Sequence, residues 1–268
     1  MTSDALVSAG FDGLSWLGRK SLEVLRAVGW TANLLWACVR ALRRPRVYLP
    51  LTFAQVWEIG IGSIPLVLLV AMIAGAVTSE QTGYQYSSTI PPWIVGSVVT
   101  ASVITELGPM ATALVLVGRV GARIGSELGA MTVSEQISAL RTMGRDPVLH
   151  LVVPRVLAGV VAVPALVALA DLGGMWAGWA LALVRTPVTS AEFALGAQAY
   201  FRPFVMWFSL LKGVAFGGSI AFIACVAGLR ATGGAAGVGR ATTLSVVAST
   251  VAVMVWDLVL VRLLEVFG

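Results

Sequence analysis

From Ile59 to Ser79 the chain runs through twenty-one consecutive residues without a formal charge, bracketed by Glu58 and Glu80. A helix rises ~1.5 Å per residue, so this stretch can span the ~30 Å hydrocarbon layer of a bilayer. Composition agrees: 58% of residues are hydrophobic and 12% charged, about half the charged share of a soluble domain. An ordinary soluble fold is excluded, and an integral membrane protein is expected. The Met1 end carries Asp4, no basic n-region and no compact apolar core before a cleavage site, so no secretory signal peptide is expected.

The expected fold class is an all-α integral membrane protein: an amino-terminal interfacial helix, five transmembrane helices, and a short cytoplasmic helix between spans 2 and 3. One membrane domain over 1–268 is expected, with interfacial helix and basic patch at 8–46 and the five spans at 59–264. Between Ser8 and Leu42, apolar Leu14, Leu17, Leu25, Val28, Leu35 and Val39 recur near helical spacing, opposite Arg19, Glu23 and Arg26. RALRRPR, Arg40 to Arg46, suits an anionic cytoplasmic leaflet. Span 1 is Ile59 to Ser79, followed by the polar loop EQTGYQYSSTIPP. Span 2 runs from Trp93 to about Gly118 and is interrupted by ELGP, Glu106 to Pro109. Span 3, Pro147 to Leu183, holds Asp171 and is longer than one crossing needs, so Gly173 and Gly174 are expected at a bend or at the outer exit. Span 4 covers Phe204 to Gly228. A glycine-rich loop, LRATGGAAGVGRATT, then leads to span 5, Leu244 to Leu264.

Five crossings put the ends of this region on opposite sides. With the amino end inside, fourteen of the eighteen bases are cytoplasmic, among them Arg119, Arg123, Arg155, Arg230 and Arg240. Arg185, Arg202 and Arg262 fall outside, and Lys212 lies within span 4. That asymmetry is the positive-inside pattern, and it accounts for the net charge of +5 without nucleic acid.

Between spans 2 and 3 sits MTVSEQISALRTMGRDPV, Met131 to Val148. Thr132 and Glu135 read as a capping box, Gly144 as the helix stop, and Asp146 with Pro147 as N-cap and first residue of the next helix. Val133, Ile137 and Leu140, with Met143 close by, line one side. So short a helix is marginal alone, so this side rests either on the protein's own surface or in a cleft of a soluble partner. Gly121, Gly125 and Gly129 form a smooth strip for close packing. Arg119, Arg123 and Glu127, on the opposite face, either meet headgroups and a partner or simply end the span at the interface.

The run ELGPMATALVLVGRVGARIGSELGAMTVSEQISALRTMGRDPVLHLVVPRVLA, Glu106 to Ala158, resembles the signature region of the MlaE/YrbE-type permeases, membrane subunits of MCE-associated ABC lipid transporters. GLRATGGAAGVGRATTLSVVAS, Gly228 to Ser249, is also similar to that family. The resemblance implies a homodimeric permease of the cell inner membrane, moving phospholipid or another lipid, with an MCE-domain lipid-binding protein as partner. It also implies that Val133, Glu135, Gln136, Ile137, Leu140, Met143, Gly144 and Asp146 belong to a coupling helix seated on an ABC ATPase subunit, two copies of which hold the ATP and magnesium. No cofactor is expected on this chain itself.

Charges inside a span are costly, by ~2.5–3.5 kcal/mol, and face a bundle interior or a watery cavity. Glu106, with Leu107 and Pro109, is expected either at a cavity facing a lipid headgroup or in a buried structural hydrogen bond. Lys212 is expected to pair with Asp171 or Asp257, which lie at similar depth. The alternative class is an ion-coupled secondary transporter using Glu106 or Asp171 as a proton site; a third is a scaffold without transport. Catalytic and metal sites are not expected: there is one histidine, His150, and G-x-S-x-G is absent. GAAGVGRA, Gly234 to Ala241, has the glycine spacing of a phosphate loop but carries Arg240 for the lysine and Ala241 for the hydroxyl. Cys38 and Cys225 read as packing residues.

Overall fold

The computed structural model describes Leu22 and residues 25–84 and 91–267, the last four of these as backbone only. Leu14, Leu17, Arg19 and Glu23 of the expected interfacial helix lie outside the described residues. The chain divides into two units, Met1–Pro45 and Arg46–Gly268. In the first, helix α1 covers 25–41 and presents Leu25, Val28, Leu35, Trp36 and Val39 outward. A turn ends it, with the Leu42 N–H donating to the Cys38 carbonyl and the Arg44 N–H to that of Ala41.

The second unit is all helical among its described residues, and five of its helical stretches are long and apolar enough to cross a membrane. The first joins α2 (Pro45–Gly60) through a 3-10 turn to α3 (Ile64–Tyr84). Glu80 to Tyr84, expected in a loop, are therefore helical. The second contains α4 (Trp93–Ser102), α5 (Gly108–Leu116) and α6 (Ala122–Val133), separated by π-helical turns at Val103–Leu107 and Val117–Gly121. The short α7 (Gln136–Thr142) comes next, then a π turn at Val148–Val152 and α8 (Val153–Arg185). Helix α9 (Ser190–Tyr200) is a second short connector, at the far end of α8. Helices α10 (Pro203–Leu229) and α11 (Gly234–Phe267) complete the unit. The loop expected from Leu229 to Thr243 thus shrinks to a turn, and the phosphate-loop lookalike is the first two turns of α11.

Small residues set the packing. A Cβ at Gly75 of α3 would collide with the Gly174 carbonyl of α8, and one at Gly217 of α10 with the Gly159 carbonyl of α8. Backbones in these pairs touch, which gains dispersion contacts where water supplies no hydrophobic drive. The expectation of a bend or exit at Gly173 and Gly174 is corrected: α8 is continuous there, and both glycines make room for α3. The Gly121, Gly125 and Gly129 strip faces α11 and the turn before it, meeting Ser245, Val238 and Ala231. Outward positions stay apolar, including Leu69, Ile73 and Val77 on α3 and Val251, Val255 and Leu258 on α11.

Candidate functional site

Three helical segments converge on Lys212. It sits on α10, is fully buried, and donates from Nζ to Glu106 Oε1 at 2.8 Å and Asp257 Oδ1 at 2.7 Å. A third bond, at 2.8 Å, goes to the Thr105 carbonyl. Local chemistry supplies that acceptor. Pro109 has no N–H to return to the carbonyl four residues earlier, and the π turn at Val103–Leu107 opens the helix at the same place. The ammonium fills the gap and thereby spends all three of its donors. The Phe208 ring lies 5.7 Å away and adds a weak cation–π contact.

Asp171, expected as a possible partner of Lys212, is not one. Its Oδ2 accepts from Ser209 Oγ at 2.8 Å, while Oδ1 has no hydrogen-bond donor and lies against Gly108. The expected grouping of Lys212, Asp171 and Asp257 is therefore corrected to Lys212, Glu106 and Asp257. Depth along the membrane does match Lys212 to the acids. The difference is one of azimuth, because a π turn inserts an extra residue and rotates the rest of the helix by about 100°. Glu106 keeps 40% of its side chain exposed beside a lysine that keeps none. Leu107 is half-buried, whereas Pro109 is buried in the bundle, so it shapes the backbone rather than lining an opening.

A second charged cluster sits at the end carrying α7. Arg155 at the start of α8 is buried; its Nη2 donates to Glu127 Oε1 of α6 at 2.6 Å and its Nη1 to the Leu151 carbonyl at 2.8 Å. Arg123 of α6 pairs with Glu58 of α2. The expectation that Arg123 and Glu127 meet headgroups or a partner is corrected: both hold α6 to its neighbours. Arg119 is exposed, with its guanidinium beside Gly62.

The polar helix departs from its expected start. Thr132 ends α6, and its hydroxyl donates to the Leu128 carbonyl at 2.7 Å, with the Gly228 carbonyl a longer acceptor at 3.1 Å. Glu135 adopts a left-handed backbone, φ 59°, and its side chain makes no cap. The capping box is corrected accordingly: an interhelical acceptor takes the hydroxyl that a cap would need. Helix α7 begins at Gln136, one turn later than Val133. Its other end is as expected. Gly144 has φ +73°, its N–H donates to the Arg141 carbonyl and that of Arg145 to the Leu140 carbonyl, a Schellman closure. Asp146 then accepts from the Val148 N–H at 2.9 Å. Ile137 is buried, Val133 and Leu140 are half-buried, and Met143 is 66% exposed together with exposed Gln136, Ala139 and Arg141. One side rests on the chain, and the other is presented.

The opposite end holds a cap absent from the sequence expectations. Thr189 and Glu192 form a complete capping box for α9, the Thr189 N–H donating to Glu192 at 2.8 Å. Its spacing, T-x-x-E, is the same as at Thr132, where no cap forms. The Thr189 amide and hydroxyl hold the Glu192 carboxyl below its ordinary value of 4.5. Helix α9 lies on α4: Ser97 Oγ donates to the Gly196 carbonyl, and Val95, Val99 and Val103 enclose Phe193 and Val188.

A mid-span lysine network and an apolar surface on every long helix describe a membrane body with no reacting centre of its own. Among the described residues, no three His, Cys, Asp or Glu side chains converge as a metal would require. The family model described as Permease MlaE matches residues 52–263. The chain belongs to the MlaE permease family. This MlaE permease is similar to a probable ABC transporter permease protein of Rickettsia conorii, 33% identical over 92% of this chain and 95% of the relative. It is also similar to a probable ABC transporter permease protein of Synechocystis, at 34% over 76% and 78%. The intermembrane phospholipid transport system permease protein MlaE of Haemophilus influenzae is 28% identical over 94% of this chain and 97% of its own. As an MlaE permease the chain is the permease of an ABC transporter, a transport subunit and not an enzyme.

Proposed function

We propose that this chain forms the membrane body of an inner-membrane ABC system that moves phospholipid between envelope membranes. Two copies enclose a space for the lipid, and separate ATPase subunits supply the energy. The observation that carries the reading is Glu106: an acid near the middle of a span, 40% exposed, anchored by a fully buried Lys212. Hydrocarbon penalises such a group, so a polar-lined space or a second copy covers it. A phospholipid headgroup with its own charges suits that lining.

The ATPase subunits hold ATP and magnesium and grip α7, the presented helix between spans 2 and 3. With the amino end inside, α7 shares the cytoplasm with Arg141, Arg145, Arg230 and Arg240, while α9 faces outward near Arg185 and Arg202. The carboxyl end is then on the outer side, where an MCE-domain protein receives or delivers lipid. Membership among ABC transporter permeases favours this over ion-coupled transport by Glu106 or Asp171.

The test is reconstitution of the chain with its ATPase in liposomes, measuring transfer of a labelled phospholipid. Glu106→Gln removes one charge-assisted hydrogen bond, ~1.5–3 kcal/mol, which corresponds to a transfer rate lower by roughly tenfold or more with the complex still assembled. Lipid movement driven by an ion gradient without the ATPase would refute the proposal.

A further inference from the structure

Away from the Lys212 network and from α7 itself, the bundle holds a cavity of about 380 Å³ between α10 and α11, at the end that carries α7. Its walls are apolar, with Ile223 and Val226 on α10 and Leu244 and Ala248 on α11. Its rim holds two guanidinium groups, Arg230 and Arg240, and no acidic residue lines it. The turn between the helices builds this rim. Gly233 and Gly234 take positive φ, a Cβ at Gly237 would collide with the Thr232 carbonyl, and Arg240 Nη2 donates to that same carbonyl at 3.3 Å. Arg240 is thereby drawn back over the mouth of the cavity, and both arginines stay exposed.

We infer that this cavity is a binding site for an anionic phospholipid of the leaflet at the α7 end. The phosphate lies between Arg230 and Arg240, and one acyl chain starts down the groove along Leu244 and Ala248. Charge and polarity select the occupant. Guanidinium forks match phosphate oxygens in paired hydrogen bonds, and two of them on a lining that holds no carboxylate favour an anion. A soluble anion would leave the apolar wall uncovered, whereas an acyl chain covers it. The volume lies within the ~300–1,000 Å³ range of ligand pockets, enough for a headgroup and the upper part of one chain. Leu244 and Val247 continue the apolar surface outward on α11, where the remaining lipid lies in the bilayer. The phosphate-loop spacing of Gly234 to Ala241 therefore does serve a phosphate, through side chains at a membrane interface and not through a nucleotide loop. This site does not depend on what the chain transports.

The full-length chain, purified and delipidated in detergent, is titrated with phosphatidylglycerol or phosphatidylcholine of identical chains, with bound lipid counted by native mass spectrometry. The wild type is expected to prefer phosphatidylglycerol by on the order of tenfold, as two arginines near a headgroup allow. Arg230→Gln with Arg240→Gln removes the preference. Arg230→Lys with Arg240→Lys keeps most of it and checks that charge, not misfolding, is read. Ala248→Phe fills the groove and weakens both lipids with charge unchanged. Glycerol phosphate, the headgroup without chains, does not compete. Equal binding of the two lipids, a preference that survives the double glutamine variant, or effective competition by glycerol phosphate each overturns the assignment. So does protection of Arg230 and Arg240 by an ATPase subunit with lipid binding unaltered by the variants, which would make the rim a protein contact.

Discussion

Two short helices connect long ones in this chain, and both come after the same four-residue pattern, T-V-S-E before α7 and T-S-A-E at the start of α9. In α9 the pattern closes into a capping box, and the helix is fastened along its length to α4. In α7 it does not: the threonine belongs to the previous helix, the glutamate is left-handed, and seven residues remain with Ile137 as the buried anchor. One connector is built into the body. The other is held at its base and offered to something else. A local motif specifies a helix start only when no better acceptor competes for the hydroxyl, and the Gly228 carbonyl competes at Thr132.

The largest effect that would break the contrast lies between the two helices. Lys212→Ala leaves Glu106 and Asp257 buried or half-buried without their cation, and removing one partner of such a cluster costs about 3–5 kcal/mol. Unfolding in sodium dodecyl sulfate should show that loss globally, with α7 and α9 failing together. Gly96→Leu comes next. Its side chain would displace the Phe193 carbonyl of α9, an overpacking cost of ~1–3 kcal/mol, whereas Ala139→Leu on exposed α7 should stay within ~0.5 kcal/mol. Comparable losses from both would erase the distinction. Thr189→Ala should cost about 1 kcal/mol through its cap, read as faster amide exchange confined to α9. Glu135→Gly should stabilise the α6–α7 junction by up to about 1 kcal/mol, because glycine accepts the left-handed backbone freely.

The smallest effect is one of pH. Glu192 has a carboxyl pKa lowered by the Thr189 donors, so its contribution to α9 is fully present above the ordinary carboxylate value. It is lost as pH falls from there through the lowered value. Amide protection of α9 should thus be flat from neutral pH to about pH 5 and decline only in stronger acid, and Glu192→Gln should abolish that acid-dependent step.

Hydropathy alone locates all five crossings, because uncharged length is a direct requirement of the bilayer. It stops span 2 at Gly118, since Arg119, Arg123 and Glu127 come next. The helix in fact continues to Val133, its charges neutralised by Glu58 and Arg155 from distant parts of the chain, which no local window contains. Glu106, Asp257 and Lys212 are recognisable as costly charges. Their grouping is not, because it depends on which face a π turn exposes and on a carbonyl freed by Pro109. Helix α9 does carry a sequence signal, in Thr189-x-x-Glu192, hidden within the polar end of a long apolar run. The stop and restart at Gly144 and Asp146 are legible because a left-handed glycine and an aspartate N-cap are settled within a few residues.

Energy transfer from a separate ATPase requires α7 to be gripped from the cytoplasm. A photo-crosslinking amino acid at Ala139, on the exposed side of α7, tests this in intact cells. The expected product joins this chain to a soluble ABC ATPase subunit, and its yield falls when ATPase subunits are depleted. A product only with lipid, with this chain itself or with a protein of the outer compartment would contradict it.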